Sequence, residues 1–132
     1  MSCFWTAILK TLTLQEKNVL GLTDKNTSEY ELVVALKKRS NMFDDCRVLW
    51  QNEILSKQMC SELKEWVDVY EPSRISSGHD TSSCDPFLTL LCVMFGWNIV
   101  FSYQQSVITF KNTQKTTRTV SFGANSHHFY TK

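Results

Sequence analysis

The stretch from Asp85 to Tyr103 constrains this chain most. Phe87 to Phe95 is apolar almost all round, so a helix there has no face to offer to water and must be buried. Asp85-Pro86 suits its start, with an aspartate at the N-cap and a proline in the first turn. Gly96 is placed to end it. Trp97-Asn98-Ile99-Val100-Phe101-Ser102-Tyr103 follows at once, rich in β-branched and aromatic residues, and reads as a strand. Any fold must therefore wrap other elements around a wholly apolar helix that feeds directly into a sheet.

The flanking sequence supplies those elements. From Cys3 to Leu14, Phe4, Ala7, Ile8, Thr11 and Leu12 recur at helical spacing. Gly21 and the polar run Thr23 to Thr27 form a connection. Ser28-Glu29-Tyr30-Glu31 is a capping-box pattern, after which Leu32, Val33 and Leu36 give a helix its apolar face. One or two helices are expected between Asp44 and Tyr70, with Val48, Leu49 and Ile54 marking the first part and Cys60, Leu63, Trp66, Val67 and Tyr70 the second. Glu71 to Cys84 holds Pro72, Gly78 and five serines and reads as a loop. A loop of that length in a compact domain is often functional. Beyond Tyr103, strands are expected at Ser106–Phe110, Arg118–Phe122 and His127–Thr131. Helices first, then an antiparallel sheet, is the α+β pattern, here in a single domain spanning residues 1–132.

Composition narrows the function. The chain is 42% hydrophobic and 12% aromatic, which is enough for a packed core. Fourteen basic and thirteen acidic residues leave a net charge of +1, so no field favours nucleic acid or an anionic membrane. The stretch Pro86 to Val100 is too short and too broken to span a bilayer. Met1-Ser2-Cys3 offers no secretory signal ahead of the first helix. The five cysteines, Cys3, Cys46, Cys60, Cys84 and Cys92, are odd in number and lack paired spacing, which suggests reduced thiols in a cytoplasmic setting.

Two short motifs at opposite ends of the chain carry chemistry. Cys3-Phe4-Trp5 opens the first helix, and His127-His128-Phe129-Tyr130 closes the sequence. A cysteine is a strong nucleophile only as thiolate, which a helix N-terminus and a neighbouring histidine both favour. A distant histidine brought near by folding is the usual second half of such a site. Backbone N–H groups at the helix start can stabilise an oxyanion. Strand neighbours face opposite sides, so only one of the two histidines can face Cys3. Phe129 should point into the core, which puts His128 toward the helix start; His127 is the alternative base.

Cys3-Phe4-Trp5-Thr6-Ala7-Ile8 resembles the nucleophile helix of ovarian-tumour (OTU) cysteine proteases, particularly divergent viral members. Cys84 to Tyr103 is similar to that family's helix and strand before its last hairpin, and His128-Phe129 to the His-aromatic pair on its final strand. Papain-like proteases of positive-strand RNA viruses share the Cys-aromatic start. The resemblance implies an OTU-like, papain-related fold. It implies a thiol protease that cleaves isopeptide bonds to ubiquitin or ubiquitin-like modifiers, or a viral polyprotein, as a monomer without cofactor. An aromatic after the base is the family pattern and favours His128. The chain departs from the family twice. The aspartate usual three positions before the cysteine has no counterpart, since Met1 and Ser2 alone precede Cys3. The Asp or Asn usual two positions after the histidine is Tyr130. Asn125 and Asn98 are the candidate orienting residues by sequence, with a bare dyad as the alternative.

Trp5, beside the cysteine, and His79 and Asp80, in the loop, are the candidate substrate contacts. The four tryptophans, Trp5, Trp50, Trp66 and Trp97, also read as core, Cys46, Cys60 and Cys92 as buried on apolar helical faces, and His79 as solvated. No C-x-x-C or H-x-x-x-H spacing occurs, so no metal site is expected. The competing reading is a non-catalytic α+β interaction module in which Cys3 and His128 are incidental.

Overall fold

The computed structural model describes residues 3–23, 26–125 and 128–132. Among these residues it is a mixed α+β arrangement with five α-helices: α1 (Cys3–Thr11), α2 (Leu14–Val19), α3 (Glu29–Lys37), α4 (Lys57–Val69) and α5 (Pro86–Phe95). Six strands of the described residues form one sheet: β1 (Val48–Trp50), β2 (Glu53–Ile54), β3 (Trp97–Tyr103), β4 (Ser106–Asn112), β5 (Arg118–Ala124) and β6 (Phe129–Thr131). Short 3₁₀ segments occupy Ser40–Asp45 and Pro72–Ser77. No helix among the described residues is long and apolar enough to cross a membrane.

The apolar helix behaves as its composition demands. Phe87, Leu88, Leu90, Leu91 and Cys92 are each at most 1% exposed. Asp85 caps α5 through its Oδ1, which accepts from the Phe87 and Leu88 N–H groups at 2.9 and 3.1 Å. Gly96 ends it in the left-handed conformation, φ 66°. Helix α5 packs on β3, β4 and β1 and meets α4 on another side. The Ser28–Glu31 capping box forms at the start of α3. A second one, Thr13 with Glu16, starts α2, so the first helical run breaks at Leu12 and resumes. The T-x-x-E signature at Thr13–Glu16 marks this break in the sequence.

The sheet departs from the expected antiparallel one. Its order is β2-β1-β4-β3-β5-β6, and β3 and β5 run parallel, Trp97 opposite Arg118 and Tyr103 opposite Ala124. The chain leaves β4 at Asn112, crosses the start of β3, and enters β5 on its other side. Asn112 anchors this crossing: its Nδ2 donates to the Cys92 carbonyl at 3.0 Å and its Oδ1 accepts from Gln114 N–H at 2.8 Å. Thr117 N–H then bonds the Gly96 carbonyl at 2.8 Å. The crossing passes so close that a Cβ on Gly96 would lie 2.9 Å from the Lys115 carbonyl oxygen.

Val48, Leu49 and Ile54 are not helical. They form the β1–β2 hairpin at the sheet edge, turning through Gln51 and Asn52 at φ 53° and 65°. Two consecutive positive φ values are the geometry that matches the twist of a two-residue hairpin. Trp66 is not core either; it is 66% exposed on α4, and Trp50 is only partly buried. Cys46 lies between the Ser40–Asp45 turn and β1 rather than on a helix.

Candidate active site

Helix α1 lies against α3 and against β6, the last strand. Its inward face, Phe4, Ala7 and Ile8, is buried, and Phe4 packs on Phe129 with ring centroids 4.8 Å apart. That apolar contact joins the two ends of the chain, and the polar residue preceding each aromatic comes with it. Cys3 Sγ and His128 Nδ1 are 3.6 Å apart, within sulfur hydrogen-bond range. Both side chains are exposed. His128 stands just before β6 rather than in it. Its backbone is held by Asn125 in both directions: His128 N–H donates to Asn125 Oδ1 at 2.9 Å, and Asn125 N–H to the His128 carbonyl at 2.9 Å.

Asn125 therefore anchors the main chain that presents the imidazole. Asn98 is excluded as an orienting residue by its place on β3. It pairs with Lys111 and Thr119, five residues before Tyr103, the end of β3 that reaches the site. Five strand residues span about 16 Å. The alternative base His127 lies outside the described residues.

Cys3 and His128 open into a cleft of about 440 Å³. One wall is the segment Ser77 to Thr81, which includes His79 and Asp80; the other carries Tyr103, Gln104 and Asn125. The serine-rich loop thus borders the cysteine, as its length and position suggest. Gln104 is at the tip of the β3–β4 hairpin, at φ 47°. Hairpin tips with positive φ usually carry glycine or asparagine, so nothing in the sequence marked Gln104 as a site residue.

Trp5 is not a wall of this cleft. It is fully buried, its indole N–H donating to the Tyr70 hydroxyl at 3.2 Å. It lies two residues after Cys3, and at about 100° per residue the helix directs it to the opposite side. His79 is also not solvated. Its side chain is 7% exposed, its Nε2 lies 2.7 Å from Asp85 Oδ2, and its ring sits 4.1 Å from that of Phe4 and within 6 Å of Trp5, Tyr70 and Phe87. Burial pushes the imidazole pKa down, but the charge and hydrogen bond of Asp85, with Asp80 adding to them, leave it raised above the usual 6.5.

The other four thiols sit in different surroundings. Burial raises Cys84 to about 11 and Cys92 to about 12, and it raises Cys46 further with the neighbouring Cys60 contributing. Cys60 is 5% exposed. Cys3 is the thiol open to solvent. Among the described residues no three His, Cys, Asp or Glu side chains gather as a metal-binding set. No protein family, no curated protein and no solved structure matches this chain.

Proposed function

We propose that this chain is a thiol hydrolase, with Cys3 as nucleophile and His128 as general base and acid. The observation that carries the reading is the 3.6 Å approach of Cys3 Sγ to His128 Nδ1 across 125 positions of sequence, at the mouth of a cleft. In the reaction, the Cys3 sulfur attacks a carbonyl carbon while its proton passes to His128. The tetrahedral intermediate collapses to a thioester as His128 returns the proton to the leaving amine. Water, deprotonated by His128, then releases the acid and restores the thiol. The resemblance of Cys3-Phe4-Trp5 and His128-Phe129 to viral OTU and papain-like proteases directs the substrate toward isopeptide conjugates of ubiquitin or ubiquitin-like modifiers, or a viral polyprotein, acted on in a host cytoplasm.

A ubiquitin carrying a C-terminal electrophile tests both levels. Labelling at Cys3, abolished by Cys3→Ala and strongly reduced by His128→Ala, is the expected result. Reaction of Cys3 with a small haloacetamide but not with the ubiquitin probe would retain the thiol hydrolase and remove ubiquitin as its substrate. Preferential reaction of Cys46 or Cys84 would remove the nucleophile assignment altogether. One observation favours the second reading, a non-catalytic interaction module: α4 exposes Met59, Trp66 and Val69 beside a groove of about 1030 Å³. Binding of a partner that is unchanged in Cys3→Ala and His128→Ala proteins and lost in Trp66→Ala would support it.

A further inference from the structure

The cleft that holds Cys3 and the larger groove along α4 share one wall. The same five consecutive residues, Ser77 to Thr81, line both. The His79 imidazole ties this strap to the interior: it turns inward, bonds Asp85 Oδ2 at 2.7 Å, and lies 4.1 Å from the ring of Phe4, the neighbour of Cys3. Asp85 is a rigid anchor, fully buried, with its other oxygen holding the first N–H groups of α5. The backbone just before His79 is unusual. Gly78 has φ 90° and ψ 178°, a region open essentially to glycine, although a Cβ there would meet nothing within 4 Å. Its conformation is thus needed to aim the strap and not to make room. A buried ion pair is weak evidence for stability, since apolar residues of the same size often do as well; its best attested use is to specify one arrangement.

We propose that His79 is a positioning residue whose bond to Asp85 latches the Ser77–Thr81 strap as the substrate-facing wall of the Cys3 cleft. The latch keeps cleft and groove separate, and a polypeptide entering the cleft rests against a wall already in place. The consequence for hydrolysis rests on the thiol-hydrolase reading above; the latch itself does not.

Three variants separate the contributions. His79→Phe keeps the ring packing and removes the bond to Asp85, His79→Gln keeps a donor for Asp85, and Gly78→Ala perturbs the strap without touching the core. The first measurement needs no turnover: the rate at which Cys3 reacts with a bulky maleimide, divided by its rate with iodoacetamide. The ratio cancels any change in the reactivity of the thiol. His79→Phe and Gly78→Ala should raise it about fivefold or more, and His79→Gln should stay near wild type. An unchanged ratio in His79→Phe and Gly78→Ala overturns the latch. A normal His79→Phe with a defective His79→Gln also overturns it, because ring packing would then hold the strap.

The second measurement uses a polypeptide or isopeptide substrate. KM should rise about tenfold in His79→Phe with kcat within about threefold of wild type. A fall in kcat at unchanged KM would overturn the positioning role. Wild-type protein whose Cys3 alkylates but hydrolyses no acyl substrate would count against the thiol hydrolase, while the reagent ratio would still decide the latch.

Discussion

Replacing Glu16 should loosen the junction that holds the end of α1 and the start of α2 to the sheet. The Glu16 carboxylate lies 13% exposed between three elements. Its Oε2 accepts from the indole N–H of Trp97, on β3, at 2.5 Å, and its Oε1 from Arg118, on β5, at 2.7 Å and from the Thr13 N–H at 2.9 Å. Arg118 also donates to the Thr11 carbonyl at 2.7 Å, at the end of α1, and stacks over Trp97 at 5.0 Å. Glu16→Ala leaves the indole N–H of a fully buried tryptophan without its acceptor, which costs about 1–3 kcal/mol. It also removes half of the capping box, worth about 0.5 kcal/mol at this exposed turn. Arg118, 34% exposed, can return to water, so its lost pairing adds about 1 kcal/mol or less. The contributions share one carboxylate and are not additive, which puts the total at about 1.5–4 kcal/mol. Urea unfolding followed by tryptophan fluorescence should show the midpoint fall at constant slope.

Acid supplies a second readout of the same clamp. Burial pushes the Glu16 carboxyl up, but hydrogen bonds from Arg118, Thr13 and Trp97 and the guanidinium charge hold it, in sum, below its usual 4.5. A depressed folded-state value means the stabilisation is complete above the unfolded value and fades as pH falls through the folded one. The difference between wild type and Glu16→Gln should therefore be full above about pH 5 and vanish in stronger acid. A loss below about 0.5 kcal/mol in Glu16→Ala would refute the clamp.

Three further outcomes are expected. His128→Ala should lower kcat/KM for acyl substrates by about 10²–10⁴-fold, with the urea midpoint unchanged because the side chain is exposed; an equal loss in both would make His128 structural. His79 has a raised folded-state pKa, so its pairing should stabilise fully below the ordinary 6.5 and less as pH rises through the raised value. Faced by Asp85 from α5, Asp80 from its own strap and the Tyr70 hydroxyl at the end of α4, it should make the advantage of wild type over His79→Gln shrink as pH rises above 6.5 through the raised value, and an advantage that grows would contradict the pairing. Gly96→Ala should cost at least about 1–2 kcal/mol, read from urea unfolding, because the left-handed φ and the Lys115 backbone at 2.9 Å both oppose a Cβ.

Much of this architecture was legible locally. The all-apolar run Phe87–Phe95, its Asp85-Pro86 start and its Gly96 stop define α5 because caps and apolar periodicity act within a few residues. The Ser28–Glu31 box is legible for the same reason, and so is the direction of Phe129 into the core, which follows from the two-residue period of a strand. The proximity of Cys3 and His128 was legible from a cysteine at a helix start and a histidine beside a core aromatic, since Phe4 and Phe129 draw their neighbours together.

What the tertiary structure decided are the features that depend on partners far along the chain. The β1–β2 hairpin has no local signal, because Gln51-Asn52 takes up positive φ without a glycine and pairing with β4 outweighs local preference. The parallel β3–β5 pair depends on a five-residue crossing, Thr113 to Thr117, held by Asn112 and admitted by the missing Cβ of Gly96. The exposure of Trp66 reflects the absence of any element over that face of α4 among the described residues. The role of His79 was illegible for the plainest reason: a histidine in a serine-rich loop looks solvated until Asp85, six residues on, is placed beneath it at the buried start of α5. Short-range rules specify each element and its inner face, whereas charge pairs and strand neighbours are chosen only when the elements meet.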